Sequence, residues 1–348
     1  MSDTRFLLIK AWGWGFWADM DHLIGQLLVA ELTNRIPVVS WGTNSLYSDT
    51  ILTNAFELYY EPVSNYTLKD VARPEFTYYP PIWNYVNIMI EDLDKITYTY
   101  RDIGNMMSSD ANVVVSDVHY FARPIMEYIK KDNWMYGLTP IQIYRCLIDK
   151  YLRLKPDILM KIDDFYNKFL KDSGPLLGVH VRGTDKIIEV ANLPYLNKRY
   201  HYEIRKYIKN FDIKKILMIT DSQEILNEYI DLYGDIIIST DANRSENNSE
   251  HSATQVDNYI NRRSKGIEVL VDTYLASKCD YFIGNGYSNV SFSVNRLKEW
   301  PQSHITLLYN SLKEEIKLAK KRSKVELLRK QNQKLEHRLN YPELYGGI

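Results

Sequence analysis

The chain reads as an α/β protein with two Rossmann-like parallel-sheet halves facing a cleft, and three observations predict this. Short apolar runs that end in Gly or charge recur, as in Leu176-Leu-Gly-Val-His180 and Lys215-Ile-Leu-Met-Ile219; such runs suit buried strands. Segments with helical spacing follow most of them, an alternation that predicts a parallel sheet covered by helices. The pattern occurs on both sides of Asp172-Ser-Gly-Pro175, in a chain of 348 residues, long enough for two ordinary domains. We therefore expect an N-terminal α/β domain at 1–172, a C-terminal Rossmann-like domain at 173–310 and a helical extension at 311–348.

Composition narrows the function. The apolar fraction of 45% and charged fraction of 25% are those of a globular protein in water. A formal net charge of −1 gives no support to a nucleic-acid partner, which usually demands a basic surface. Cys146 and Cys279 lie far apart, match no metal spacing and read as buried thiols. The opening apolar run, Phe6-Leu-Leu-Ile, is too short for a signal peptide, and no segment reaches membrane-spanning length. The expected location is the cytoplasm. Asn65-Tyr-Thr and Asn247-Asn-Ser match glycosylation sequons, which mean little without a secretory signal. The 28 tyrosines and 7 tryptophans fit a carbohydrate-binding cleft, since flat amphipathic rings stack on sugar faces, and they equally fit ordinary core filling.

In chain order, Phe6-Leu-Leu-Ile is a first strand. Gly13 and Gly15 then shape a turn, and Met20, Leu23, Ile24, Leu27 and Leu28 recur at helical spacing up to about Asn34. Val38-Val-Ser-Trp completes a strand–turn–helix–strand unit, whose Gly-x-Gly turn is either a tight turn alone or an anion site at a helix start. Asp19-Met-Asp21 and Asp92-Leu-Asp94 invite a metal reading. We expect none, because the first pair opens a helix, where the dipole favours acids. Residues 41–110 are rich in Tyr, Asn, Pro and Asp, and we expect them to face an acceptor. Asn112-Val-Val-Val-Ser-Asp117 is a further strand. Thr139-Pro140 caps a helix, and a second helix runs from Pro156 to about Lys171.

The second half opens on the strand that ends in Gly178-Val-His-Val-Arg-Gly-Thr-Asp-Lys186. Open α/β sheets hold their ligands at the carboxyl ends of strands. His180 and Arg182 are two apart and share a face of an extended strand. Arg182 and Lys186 together suit a diphosphate, Arg as a planar fork and Lys as a mobile point charge. The competing reading is a solvated strand end with Arg182 and Asp185 as a surface pair. Helix over 202–207, strand 215–219, helix from Ser222, strand 235–239, a polar loop 241–263, helix 267–276, strand 281–283 and a Gly-rich turn at 284–290 follow. Ser288 stands where that turn enters a helix, a place that favours anions. Thr220-Asp221 either cap the next helix or face the ligand. From Lys313 to Leu339 the chain reads as one charged helix, open to packing on the body or to pairing with a second copy.

His180-Val-Arg-Gly-Thr-Asp-Lys186 resembles the first motif of the α1,6-fucosyltransferases, with Gly183 where eukaryotic members carry a second Arg. Thr220-Asp221 resembles the middle motif. Leu270-Val-Asp-Thr-Tyr-Leu-Ala through Ile283 resembles the third, with Ser288 at the matching spacing and Asn289 where eukaryotic members carry Gln. Gly13, Gly15 and His22 match the Gly-rich first turn and its following His. The resemblance spans 176 to about 295 and the first helix, and leaves 40–170 unmatched.

It implies a GT-B fold and transfer of fucose from GDP-fucose, with inversion and without a metal, onto a hydroxyl of a glycan acceptor. It also implies donor contacts at Gly13, Gly15, His22, His180, Arg182, Lys186, Asp221, Asp272, Ser288 and Asn289, with Asp272 reading the guanine edge. A base is needed for the acceptor proton and positive charge for the leaving diphosphate. The family's Glu falls near Glu189, one residue early, with Asp185 as the alternative. Other readings are a transferase with a different nucleotide-sugar and a binding protein that has lost its chemistry.

Overall fold

In the first half every strand pairing is parallel. Strands β1 (Phe6–Lys10), β2 (Ile36–Ser40), β3 (Tyr78–Tyr79) and β4 (Val113–Ser116) lie in the order β2-β1-β4-β3. The structure, a computed structural model, describes residues 4–49, 54–89, 102–116, 122–183, 193–245 and 259–310. Asp92, Asp94, Asp117, most of the 241–263 loop and the expected helix from Lys313 lie outside these residues.

Helix α1 (Phe16–Thr33) follows the Gly-rich turn and ends where Asn34 takes a left-handed φ of 52°, a conformation Asn tolerates. Buried from Phe16 to Ala30 on all sides, it is a core helix rather than a surface one. Helices α2 (Leu68–Val71), α3 (Ile103–Ser108) and α4 (Ala122–Ile125) are short. Helix α5 (Pro140–Tyr151) opens with a reciprocal capping box between Thr139 and Gln142, as Thr-Pro at its start leads one to expect. Helix α6 (Pro156–Phe165) runs into a π-helical turn, Tyr166–Leu170.

The second sheet is also wholly parallel, with β5 (Leu176–His180), β6 (Lys215–Ile219), β7 (Ile237–Ile238), β8 (Tyr281–Asn285) and β9 (Ile305–Leu308) in the order β7-β6-β5-β8-β9. Its helices are α7 (Leu193–Phe211), α8 (Gln223–Tyr233), α9 (Tyr259–Lys278) and α10 (Asn289–Leu297). The strand expected over 235–239 shrinks to β7, because Gly234–Ile236 closes a 3-10 turn first. The helix expected over 202–207 is the centre of the much longer α7. Strand β9, for which the sequence reading has no counterpart, follows a 3-10 turn at Gln302–His304 rather than a full helix.

Between the sheets lies a continuous apolar layer that includes Leu23 and Leu27 of α1, Leu147 of α5, Leu275 of α9 and Val294 of α10. Helix α1 packs on α5 and α10, and α6 packs on α9. Polar links join the halves across this layer, two of them from α1. Trp17 Nε1 donates to Thr273 Oγ1 at 2.8 Å, and Asp21 Oδ1 pairs with Arg296 Nη1 at 2.8 Å. The Arg296 guanidinium lies 3.6 Å from the centre of the Tyr144 ring, so α5 shares in the second link. Asp21 accordingly serves as a structural ion pair.

Candidate active site

In the second sheet the chain lays β6 and β7 on one side of β5, then β8 and β9 on the other. The segments leaving β5 and β8 therefore diverge, and such a switch point is where open α/β sheets hold ligands. Arg182 and Gly183 leave β5 here, and Gly286–Asn289 leave β8.

Arg182 Nη1 pairs with Asp221 Oδ2 at 2.8 Å, with the side chains 24% and 20% exposed. The other carboxylate oxygen accepts the Gly183 N–H at 2.8 Å, and Asn197 Nδ2 donates to the Arg182 carbonyl at 3.1 Å. Asp221 therefore fixes both the guanidinium and the backbone beside it. The helix after β6 is capped instead by Ser222, whose hydroxyl accepts the Ile225 N–H. That removes the capping role from Asp221.

His180 is buried at the end of β5, its Nδ1 2.7 Å from Ser291 Oγ, and its carbonyl accepts the Tyr200 hydroxyl at 2.7 Å. Burial, with the Arg182 cation adding to it, holds the imidazole well below its usual pKa, so it is neutral. Ser291 Oγ also accepts the Asn285 N–H at 2.9 Å and so ties the carboxyl ends of β5 and β8 together. Gly284 makes room for this, since a Cβ there would lie 2.6 Å from Ser291 Oγ. His180 thus braces the switch point from below, while Arg182 lies at its rim.

Ser288 is buried at the start of α10, and its hydroxyl makes no capping bond to that helix; Asn289 beside it is half-buried. Asn285 accepts the Tyr287 N–H at 2.8 Å, while its own Nδ2 is buried with no partner among the described residues. A buried amide donor without an acceptor is costly. Asn285 and Ser291 are absent from the sequence reading. The Gly284-Asn-Gly286 run at the end of β8, followed by Ser288 and Ser291, is the signal that could have found them.

Asp272 lies on α9, buried, with the Thr240 hydroxyl donating to its Oδ1 at 2.6 Å. Burial pushes its pKa up to about 6, against the pull of the Thr240 hydroxyl and the Arg244 cation.

In the first half, Gly13 has φ +82°. Its N–H and that of Trp14 both donate to the Asp19 carboxylate at 3.2 Å, which closes the turn from inside; Gly15 is the N-cap of α1. Asp19 is fully buried, and burial pushes its pKa up to about 7. His22 lies buried within α1, its Nε2 3.4 Å from Ser116 Oγ at the end of β4. Asp185, Lys186 and Glu189 lie outside the described residues. Among the described residues no three His, Cys, Asp or Glu side chains are grouped as a metal ion would need. No helix among them is long and apolar enough to cross a membrane.

The family model for alpha-(1,6)-fucosyltransferase N- and catalytic domains matches residues 139–293, the stretch that contains Arg182, Asp221, Asp272 and Ser288. Over that stretch the chain is similar to the α-(1,6)-fucosyltransferases. Fucosyltransferase NodZ from Bradyrhizobium shares the fold at TM-score 0.56 and 20% identity, over 88% of this chain and 98% of that one. NodZ soaked with GDP-fucose superposes at TM-score 0.54 with 20% identity, over the same shares. POFUT1 in complex with GDP-fucose shares the fold at TM-score 0.54 and 13% identity, over 89% of this chain and 99% of that one. No curated protein sequence matches the chain. The expected α/β class with parallel sheets is what the structure has, and the GT-B-like expectation agrees with these fucosyltransferase folds.

Proposed function

We propose that the fucosyltransferase-like chain is a glycosyltransferase that moves fucose from GDP-fucose to a glycan hydroxyl, with inversion and without a metal. The observation that carries the reading is Arg182, held by Asp221 at the switch point of the second sheet, across from Ser288 at a helix start. Arg182, Ser288 and the amide of Asn285 are assigned to the diphosphate, with Asn289 beside them. A planar fork and a helix N-terminus are both suited to phosphate. Asp272 is assigned to the guanine edge, since a carboxylate accepts from two adjacent N–H donors. His180 and Asp221 support these contacts by position. Gly13, Gly15 and His22 are assigned to shaping the neighbouring wall, because the turn's amides are directed to Asp19.

The acceptor oxygen attacks the anomeric carbon from the face opposite the diphosphate. The carbon–oxygen bond to GDP breaks, and GDP departs with the electron pair. Arg182 and Lys186 are assigned to balance the charge that develops on the diphosphate. Glu189, with Asp185 as the alternative, is assigned to take the acceptor proton. Two domains, 1–172 and 173–310, with the acceptor on the first and an extension at 311–348 open to self-association, complete the reading. A cytoplasmic location goes with it.

Calorimetric titration with GDP, UDP, ADP and CMP, in chelator and without added metal, tests this directly. Selective GDP binding is expected, followed by turnover of GDP-fucose. Preference for another nucleotide would replace the donor, and dependence on Mg²⁺ or Mn²⁺ would overturn the metal-free assignment.

A further inference from the structure

After β7 the chain runs as a short strap, residues 240–245, joined to three neighbours. At one end the Thr240 hydroxyl donates to Asp272 Oδ1 at 2.6 Å, with both residues buried. In the middle, Asn243 donates through its N–H and its Nδ2 to Glu268, one helical turn before Asp272 on α9. At the other end the Ser245 N–H donates to the Asp221 carbonyl at 2.9 Å, and the Ser245 carbonyl accepts the Gln223 N–H at 2.9 Å. Arg244 folds back on the strap's own carbonyls, those of Thr240 and Ala242. The strap thus spans from Asp272 to the residue that holds Arg182.

We infer that Thr240 is a positioning residue for base selection, holding the Asp272 carboxylate ionised and in one orientation so that it accepts from a base with two adjacent N–H donors. The inference rests on the proposed reading of Asp272 as the base-recognising group. A buried carboxylate can rotate away or take up a proton, and either loses such a base. A hydroxyl that donates to one oxygen opposes both, because it stabilises the charged form and pins that oxygen in place. The charged neighbours work in both directions. Arg244 favours the carboxylate, while Glu268 and Asp241 oppose it. Helix α1 presents the uncharged Trp17 at the adjoining Thr273. Thr240 is therefore the neutral group in contact that tips the balance toward ionisation.

The test uses the full chain and its Thr240→Val, Thr240→Ala and Thr240→Ser variants. GDP, IDP (which lacks the exocyclic amino group) and UDP are titrated calorimetrically from pH 5.5 to 8. The wild type should prefer GDP over IDP and lose that preference as pH falls through about 6, where Asp272 takes up its proton. Loss of one hydrogen bond to a buried charge should narrow the GDP-to-IDP ratio about tenfold in Thr240→Val. The pH midpoint should also move upward, and Thr240→Ser should restore both. Should the valine variant fail to fold, the alanine variant gives the same readout. A wild-type ratio and midpoint in the folded variants would overturn the role of Thr240. A wild type with no preference for GDP over UDP would instead remove the guanine reading, and the inference with it.

Discussion

Arg182 and Asp221 are joined at 2.8 Å across the carboxyl ends of β5 and β6, and the same carboxylate anchors the Gly183 amide. The two substitutions therefore separate charge from position. Arg182→Ala removes the cation and should weaken GDP binding by about 2 kcal/mol, as expected for a charge-assisted contact. Asp221→Asn keeps the cation and loosens its orientation, so it should cost less in GDP affinity than Arg182→Ala, with its own loss larger in turnover than in GDP affinity. Calorimetry and initial rates with GDP-fucose check this, and equal GDP losses in the two variants would count against the positional role of Asp221.

Asp19 gives the fold a pH dependence in which stability falls as pH rises. Its pKa in the folded chain is about 7, against an ordinary 3.8. The folded state therefore keeps a proton that the unfolded chain releases, and this contribution is fully present below about pH 4 and lost as pH rises through about 7. In Asp19→Asn the slope of stability against pH should flatten across this window. Melting temperatures of the two proteins at half-unit steps from pH 4 to 8 would show it, and parallel curves would refute it.

Ser291 joins His180 to the Asn285 amide. Ser291→Ala leaves a buried N–H and an imidazole nitrogen without this partner, at a cost of about 1–3 kcal/mol. Urea unfolding should register the loss with little change in denaturant slope. A Ser291→Ala variant as stable as the wild type would show that the brace is dispensable.

Asn285→Ala removes a donor that has no acceptor among the described residues. GDP affinity should fall about tenfold, the effect of one hydrogen bond to a charged group. Stability should fall by less, since only the bond from Tyr287 N–H is lost inside the protein. An unchanged GDP affinity would take Asn285 out of the diphosphate site.

Much of this arrangement is legible in the residues themselves. The strands β1, β4, β5, β6 and β8 announce themselves as apolar runs, and the polar residues just past their ends mark the switch point. Local spacing does not carry what depends on remote partners. Asp19 and Asp21 look alike as acids at a helix start, yet one closes a turn and the other pairs with Arg296, 275 residues away. Thr240 likewise carries no pattern of its own, because its role is set by the α9 carboxylate that reaches it. Strand β3 is lost among tyrosines and prolines, being only Tyr78–Tyr79 on the sheet edge.

The indole bond from Trp17 to Thr273 and the pair of Asp21 with Arg296 have an evolutionary corollary. A cassette exchange at the glycine turn near 174 would graft a foreign second half onto α1 and strand two polar partners in an apolar layer. Stranding one member of a buried ion pair costs about 3–5 kcal/mol, a large share of the stability of a typical fold. New specificities in this lineage should therefore arise by substitution within the two halves together, with positions 17, 21, 273 and 296 inherited as a set.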